Sequence, residues 1–221
     1  VAISRELQSL GADLLGVAIC EEGVALRKAG IKIPIIVLSG IFGKQAEETV
    51  EYDLTPVIFD LYTAKKLSSE GKRVNKKTKV HVKVDTGMGR LGILCEEIRP
   101  FFTQLKEIEN VEVEGVISHL STANGDTEKD RDFISLQLRK FKESLKEIDL
   151  IGPSPLLRHI ANSAATIDLT PSPYNLVRPG LIMYGAYPCA RFFEKITLKP
   201  VMTLRTEVIH IKTVPPGFDI S

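Results

Sequence analysis

Strand-forming residues give way to a glycine-rich turn in Lys83-Val84-Asp85-Thr86-Gly87-Met88-Gly89-Arg90-Leu91-Gly92. The residues from Val80 to Val84 alternate β-branched with polar side chains, as a strand does. The three glycines that follow permit backbone conformations that side chains would block, and they leave Asp85 and Arg90 at the end of the strand. Parallel α/β folds keep their functional residues at such strand ends. The stretch therefore predicts a parallel strand that ends in a functional loop.

The rest of the chain alternates short apolar runs with amphipathic segments, which predicts repeated βα units. Strands are predicted within 14–19, 33–38, 55–59, 80–84, 111–120, 157–163 and 174–185, and helices within 1–10, 21–29, 46–52, 61–70, 96–108 and 128–148. Units of ~25 residues with short connections favour an α/β fold of the (β/α)8 TIM-barrel type, with seven of the eight strands present. A doubly wound sheet is the alternative.

The pattern changes after Pro200. Residues 202–211 alternate apolar and polar side chains, and Pro215-Pro216-Gly217 follows them. This pattern predicts an antiparallel strand and its turn. We therefore expect residues 1–199 to form the barrel and residues 200–221 to begin a C-terminal β-domain.

Composition excludes several classes of function. The net charge is +1, from 29 basic and 28 acidic residues that are well interspersed, so neither nucleic acid nor a membrane surface is expected as a partner. No apolar run approaches the ~20 residues of a membrane span. Cys20, Cys95 and Cys189 lie far apart without metal-ligand spacing, so no metal site is predicted, and reduced thiols fit a cytoplasmic protein.

Polar residues occur at four predicted strand ends, which a barrel would bring to one mouth. They are Arg90, His119, Asn162 with Ser163, and Arg178 with Gly180. Asn162 and Ser163 begin a helical turn whose free N–H groups attract phosphate, and Gly180 lets another backbone N–H approach closely. An Asn-Ser pair is also a good helix cap. Its coincidence with Arg178-Pro179-Gly180 strengthens the case for an anion site.

Other histidines and tyrosines have simpler interpretations. His81 and His210 lie in alternating segments and are predicted to be surface or packing residues. His159 is predicted to be a hydrogen-bonded core histidine, and Tyr184 and Tyr187 to be packing residues.

Four ordered motifs together resemble those of the alanine racemase family. They are the stretch 83–92, Ser118-His119-Leu120-Ser121-Thr122-Ala123, His159-Ile160-Ala161-Asn162-Ser163-Ala164-Ala165 and Val177-Arg178-Pro179-Gly180-Leu181. The resemblance implies a cytoplasmic isomerase that depends on pyridoxal 5'-phosphate and consists of an N-terminal barrel and a C-terminal β-domain. It also implies interconversion of L- and D-alanine to supply peptidoglycan, by a homodimer whose active sites are shared between subunits.

The resemblance implies catalytic roles for Arg90 and His119, cofactor-binding roles for His119 and Arg178, and a candidate modification site at Lys83. Arg178 would face the pyridine nitrogen and donate to it, because a guanidinium keeps its proton, and this weakens the ring as an electron sink. His119 would lie beside the ring and bond to Arg178. Arg90 would reach the phenolic oxygen of the cofactor and the carboxylate of the substrate. Lys83 matches a lysine that is carbamylated in some members of the family.

The resemblance also implies a phosphate site. Asn162, Ser163 and the backbone N–H groups of Gly180 and Leu181 would hold the phosphate of the cofactor.

The two proton-transfer groups of the family do not occur in this sequence. The lysine belongs to a Lys-Ala-Asp-Ala-Tyr-Gly-like motif upstream of a helix that resembles residues 1–10, and the tyrosine follows a turn that resembles residues 217–221. We therefore expect a fragment that is inactive by itself. The alternatives are a non-catalytic barrel that binds pyridoxal phosphate, and a racemase of another amino acid such as serine.

Overall fold

Parallel strands and helices alternate along the computed structural model, which describes residues 1–168 and 174–219. The strands are β1 (Leu15–Val17), β2 (Ile35–Val37), β3 (Thr55–Ile58), β4 (Thr78–Asp85), β5 (Ile93–Leu94), β6 (Val111–Ile117) and β7 (Leu157–His159). The helices are α1 (Ala2–Ser9), α2 (Cys20–Lys28), α3 (Ala46–Glu51), α4 (Leu61–Arg73), α5 (Ile98–Leu105), α6 (Glu128–Asp149) and α7 (Ser163–Asp168). Short 3-10 turns lie at Gly43–Gln45, Cys95–Glu97, Leu181–Tyr184 and Ala190–Phe192.

All of the strand pairs are parallel, in the order β1-β2-β3-β4-β6-β7, and β5 pairs with the end of β4. The sheet curls into part of a barrel with helices outside it, which confirms the predicted (β/α)8-type fold. In the described ranges β1 and β7 each pair with a single strand and form the two edges. The carboxyl ends of β4, β6 and β7 therefore lie side by side.

The strand predicted within 174–185 is wrong. Residues 176–180 lie outside the sheet, and Leu181–Tyr184 forms a 3-10 helix. A backbone-to-backbone hydrogen bond of 3.0 Å from Arg178 N to Ala161 O joins this segment to the residues after β7. The physical reason is Pro179, which has no N–H to donate to a ladder. The seventh strand is instead the short β5, in which Ile93 pairs with Val84.

The strand predicted over residues 202–211 is also wrong for the described structure. These residues have no strand assignment, and Leu204 and Ile209 are 98% and 99% exposed. An alternating pattern provides one apolar face, but a strand needs a neighbouring strand as well. Ile220 and Ser221, at the end of the predicted C-terminal domain, lie outside the described residues. The division at residue 200 stays a prediction.

β4 is buried on both of its faces, although its sequence alternates. Val80, Val82 and Val84 are fully buried in the main apolar core. The polar residues between them, His81 and Lys83, are buried as well. β4 therefore carries buried polar side chains toward the carboxyl edge of the sheet.

The longest helix, α6, has a charged outer face and an apolar inner face. It begins at a capping box formed by Thr127 and Asp130, and it buries Phe141, Leu145 and Ile148. The charged positions make it a solvent-facing amphipathic helix, as its pattern predicts. No helix among residues 1–168 and 174–219 is both long and apolar enough to cross a membrane.

Candidate functional site

The glycine-rich loop after β4 closes on the carboxylate of Asp85. The carboxylate accepts hydrogen bonds from Gly87 N at 2.9 Å and from Gly89 N at 3.1 and 3.0 Å. Gly92 has a φ of +123°, and a Cβ atom there would lie 2.7 Å from Asp85 N. Only glycine lets the chain fold back closely enough for β5 to pair with β4. Arg90 is exposed in this loop.

Lys83, Arg90 and Arg178 form a group of cations at the carboxyl edge of the sheet. Burial, and then the positive charges of Arg178 and Arg90, lower the pKa of Lys83 to about 7, although Asp85 raises it. None of these three cations takes part in a salt bridge within the described residues. The group therefore has excess positive charge, which favours an anionic ligand.

The guanidinium of Arg178 is held by residues that follow β6 and end β7. Nη2 donates to Ser118 O at 2.7 Å, and Nη1 lies 2.9 Å from His159 Nδ1. Nη2 also lies 3.4 Å from His119 Nδ1. Burial lowers the pKa of Arg178 to about 10, so the side chain remains charged near neutral pH.

His119 is neutral near neutral pH. Burial, and then the charges of Arg178, Lys83 and Arg90, lower its pKa to about 4. A neutral imidazole can lie against a ligand ring without adding another charge to the cationic group. The structure thus brings His119 beside Arg178 and into the electrostatic range of Arg90 and Lys83.

Gln137 on α6 holds the loop that carries His119, and sequence reasoning missed it. Its Nε2 donates to His119 O at 3.0 Å, and its Oε1 accepts from Ser121 N at 3.0 Å and Ser121 Oγ at 3.1 Å. The side chain is fully buried. A signal was available, because Gln137 lies four residues from both Phe133 and Phe141 on an otherwise apolar helix face.

The residues of the predicted phosphate site meet where α7 and the Leu181–Tyr184 turn begin. Gly180 N donates to Ser163 Oγ at 2.9 Å, and among the described residues beyond its two chain neighbours no atom lies within 4 Å of the place where a Cβ of Gly180 would stand. Asn162 acts as the helix cap, since its Oδ1 accepts from Ala165 N at 3.1 Å. Leu181 is the first residue of the 3-10 turn. Ser163, Gly180 and Leu181 thus lie together beside open space.

Two buried histidines lie behind Arg178. His159 Nε2 and His81 Nδ1 are 2.7 Å apart, and the two rings make an edge contact with centroids 4.8 Å apart. Both side chains are fully buried. The interpretation of His159 as a hydrogen-bonded core histidine is confirmed, and His81 is a packing residue rather than a surface one. His210, which was predicted to be a surface or packing residue, is exposed.

Comparison with known proteins identifies relatives over the whole chain. A family model described as the N-terminal domain of alanine racemase matches residues 1–188. The chain is 41% identical over 219 residues to an alanine racemase of Geobacter sulfurreducens, covering 99% of this chain and 57% of that protein. It is 37% identical over 221 residues to an alanine racemase of Halothermothrix orenii, covering 100% and 58%. The chain spans just over half the length of these relatives.

Solved structures with the same fold include two alanine racemases with bound small molecules. The Clostridium difficile 630 protein in complex with cycloserine superposes with a TM-score of 0.89 at 31% identity, over 96% of this chain and 58% of that one. The Bacillus anthracis protein with bound L-Ala-P gives a TM-score of 0.88 at 32% identity, over 100% and 57%. At these identities the likeness extends beyond the fold to sequence.

Proposed function

The chain belongs to the alanine racemase family, and we propose that the full-length protein is an isomerase that interconverts L-alanine and D-alanine with pyridoxal 5'-phosphate. The observation that carries the proposal is the group of Lys83, Arg90 and Arg178, together with the contact of Ser163 with Gly180, two residues after Arg178. This group joins excess positive charge to hydroxyl and backbone donors. It suits a ligand that is anionic at two ends.

The residues fit pyridoxal 5'-phosphate, which has a phosphate group, a phenolic oxygen and a ring nitrogen. Asn162 caps the turn on which Ser163 lies, and the Ser163 hydroxyl with the N–H groups of Gly180 and Leu181 would hold the phosphate, in the open space beside Gly180. Arg90, the one exposed cation of the group, would bind the phenolic oxygen and the carboxylate of the substrate.

The chemistry of the site depends on Arg178 staying protonated. When bound, the cofactor withdraws electrons from the α-carbon of an amino acid, so that its α-proton becomes acidic. Arg178, with a pKa of about 10, would donate to the ring nitrogen and leave that nitrogen without a proton of its own. This limits the electron withdrawal and favours simple return of the α-proton over side reactions. His119, neutral and next to Arg178, would lie against the ring.

Lys83 is proposed as a site of carbamylation. With a pKa of about 7 a large share of its amine is neutral near neutral pH, and the neutral amine is the form that reacts with carbon dioxide. The product would place a negative charge near Arg90 and Arg178. That charge would orient Arg90 toward its ligands.

We also propose a cytoplasmic homodimer with active sites shared between subunits, which supplies D-alanine for peptidoglycan. The support for these points is family membership.

The test measures racemisation by the purified full-length protein. Loss of the α-proton of L-alanine in D2O, followed by NMR, should accompany the appearance of D-alanine, and Arg178→Ala should lower the rate by at least ~100-fold. Arg99→Ala, a change of an exposed helix residue, is the matched control and should leave the rate unchanged. Full occupancy with cofactor and no racemisation of any amino acid would instead support the non-catalytic binding protein. Turnover of serine without alanine would support the other alternative.

A further inference from the structure

A series of polar side chains, which we call the histidine chain, connects Arg178 through the fully buried His159 and His81 with Glu114. Arg178 Nη1 lies 2.9 Å from His159 Nδ1, and His159 Nε2 lies 2.7 Å from His81 Nδ1. His81 Nε2 lies 3.5 Å from Glu114 Oε2. The histidine chain therefore runs from the proposed site through two imidazoles to a carboxylate.

In the histidine chain each group donates to the next one, in the direction from Arg178 to Glu114. A guanidinium has no acceptor, so His159 Nδ1 must accept from Arg178, and the proton of His159 must lie on Nε2. This proton faces His81 Nδ1, which accepts it, so the proton of His81 also lies on Nε2. That proton faces Glu114. A second proton on either imidazole would set two donors against each other.

The backbone of β6 leaves room for the contact between His81 and His159. β6 lies between β4 and β7, and its pairing with β4 shifts from Val80 opposite Val113 to His81 opposite Gly115. Glu114 is the extra residue of this β-bulge, and a bulge changes the direction of the side chain it carries. A Cβ on Gly115 would lie 2.6 Å from the ring of His81. The ring thus lies across β6 at the one residue without a side chain.

Glu114 lies outside the proposed site and is anionic. A cavity of about 260 Å³ at the amino ends of the strands is lined in part by Glu114 and Lys79. Lys79 Nζ lies 2.6 Å from Glu114 Oε1. The contact with His81 and the pairing with Lys79 lower the pKa of Glu114 to about 2. His81 Nε2 is buried without a hydrogen bond of normal length in the described structure, so this carboxylate, 3.5 Å away, is the acceptor that its proton faces.

We propose that Glu114, His81 and Gly115 are positioning residues for Arg178: they keep His159 a neutral acceptor and thereby fix the guanidinium that meets the ring nitrogen of the cofactor. The inference rests on the proposed role of Arg178. The positions of the protons can be tested without that role.

The first test is ¹⁵N NMR of histidine-labelled full-length protein, without and with pyridoxal 5'-phosphate. Single substitutions of the four histidines of this sequence identify their signals among those of the full-length protein. We expect His81 and His159 each to carry one proton, on Nε2, and to show ¹⁵N–¹⁵N coupling between His159 Nε2 and His81 Nδ1. A proton on His159 Nδ1, or a doubly protonated His159 near neutral pH, would overturn the inference.

The second test interrupts the histidine chain without substituting any of its four polar residues. Gly115→Ala should abolish the coupling and raise the water exchange rate of the Arg178 guanidinium protons by about 10-fold. Gly152→Ala is the matched control, because within 4 Å a Cβ there meets no atom of the described residues beyond its two chain neighbours. Coupling that is lost while the exchange of Arg178 stays unchanged would overturn the inference.

The third test separates positioning from packing. Glu114→Ala should lower kcat for alanine by about 10-fold with a smaller change in KM, and Glu114→Gln, which keeps an acceptor, should restore most of the loss. Glu112→Gln, an exposed position on the same strand, is the control. Equal losses in Glu114→Ala and Glu114→Gln would contradict a hydrogen-bonding role. If the protein racemises no alanine while the NMR results are as expected, the proposed function is wrong and the proton positions of the histidine chain still hold.

Discussion

The pH dependence of folding stability tests the cationic group directly. Lys83 is 7% exposed, and its pKa falls from the usual 10.5 to about 7 because of burial and then of Arg178 and Arg90. Between these two values the unfolded chain binds more protons at this position than the folded one does, so stability should rise with pH. The full cost of the buried charge is present below about pH 7, and none remains above about pH 10.5.

The size of the effect follows from the shift. The difference between the two pKa values corresponds to about 5 kcal/mol at ~1.4 kcal/mol per pKa unit, as an upper limit. Lys83→Met keeps a long unbranched chain and removes the charge. We expect it to raise the free energy of unfolding of the cofactor-free protein by about 1–4 kcal/mol at neutral pH. It should also remove the rise of stability above that pH.

The assay is urea unfolding of the cofactor-free full-length protein between about pH 6 and about pH 9.5, in buffers freed of carbon dioxide. Lys129→Met, at an exposed position on α6, is the matched control and should keep the slope of the wild type. A stability that stays flat in the wild type over this range would refute the reasoning. Added bicarbonate should stabilise the wild type and leave Lys83→Met unchanged if Lys83 is carbamylated.

Three further substitutions test the loop, the helix contact and the phosphate site. Gly92→Ala should cost about 1–3 kcal/mol in urea unfolding, because its positive φ and its contact with Asp85 N exclude a Cβ; an unchanged midpoint would contradict the close approach. Gln137→Met should cost about 2–3 kcal/mol in the same assay and alter the ¹⁵N signals of His119, since it removes the donor to His119 O. Ser163→Ala should weaken binding of pyridoxal 5'-phosphate by about 10-fold, measured by absorbance titration, and equal affinity would remove Ser163 from the phosphate site.

Local signals account for the parts of the fold that the sequence predicts well. Glycine at 92 and the alternation of Val80 to Val84 act within a few residues, so the strand, its loop and the succession of βα units could be read from the chain. Arg90, His119, Asn162 and Ser163 of the proposed site also follow from strand ends, because parallel strands share one carboxyl edge. Arg178 and Gly180 were instead assigned to a strand that residues 176–180 do not form. This error has a local cause as well, because Pro179 has no N–H to donate to a ladder, although its effect was not recognised from the sequence.

Non-local contacts explain what sequence reasoning missed. The bond between His81 and His159 requires that β4 and β7 flank β6, which no local pattern reveals. The inward position of Glu114 requires a bulge, and a bulge depends on the pairing of two strands. From the sequence alone, Gly115 would be interpreted as a glycine that weakens a strand. The ring of His81, which lies against it, explains why a side chain is excluded there.

The two faces of β4 explain how the chain keeps an unfavourable charge in place. Val80, Val82 and Val84 lie on one face, and His81, Lys83 and Asp85 lie on the other, because side chains alternate along a strand. Burial of each valine contributes about 1.5–3 kcal/mol, so the three together are of the same order as the cost of burying Lys83. A slip of one residue would exchange the two faces. The apolar face therefore fixes the register that places the histidine chain, the cation and the glycine loop in succession along one side of the strand.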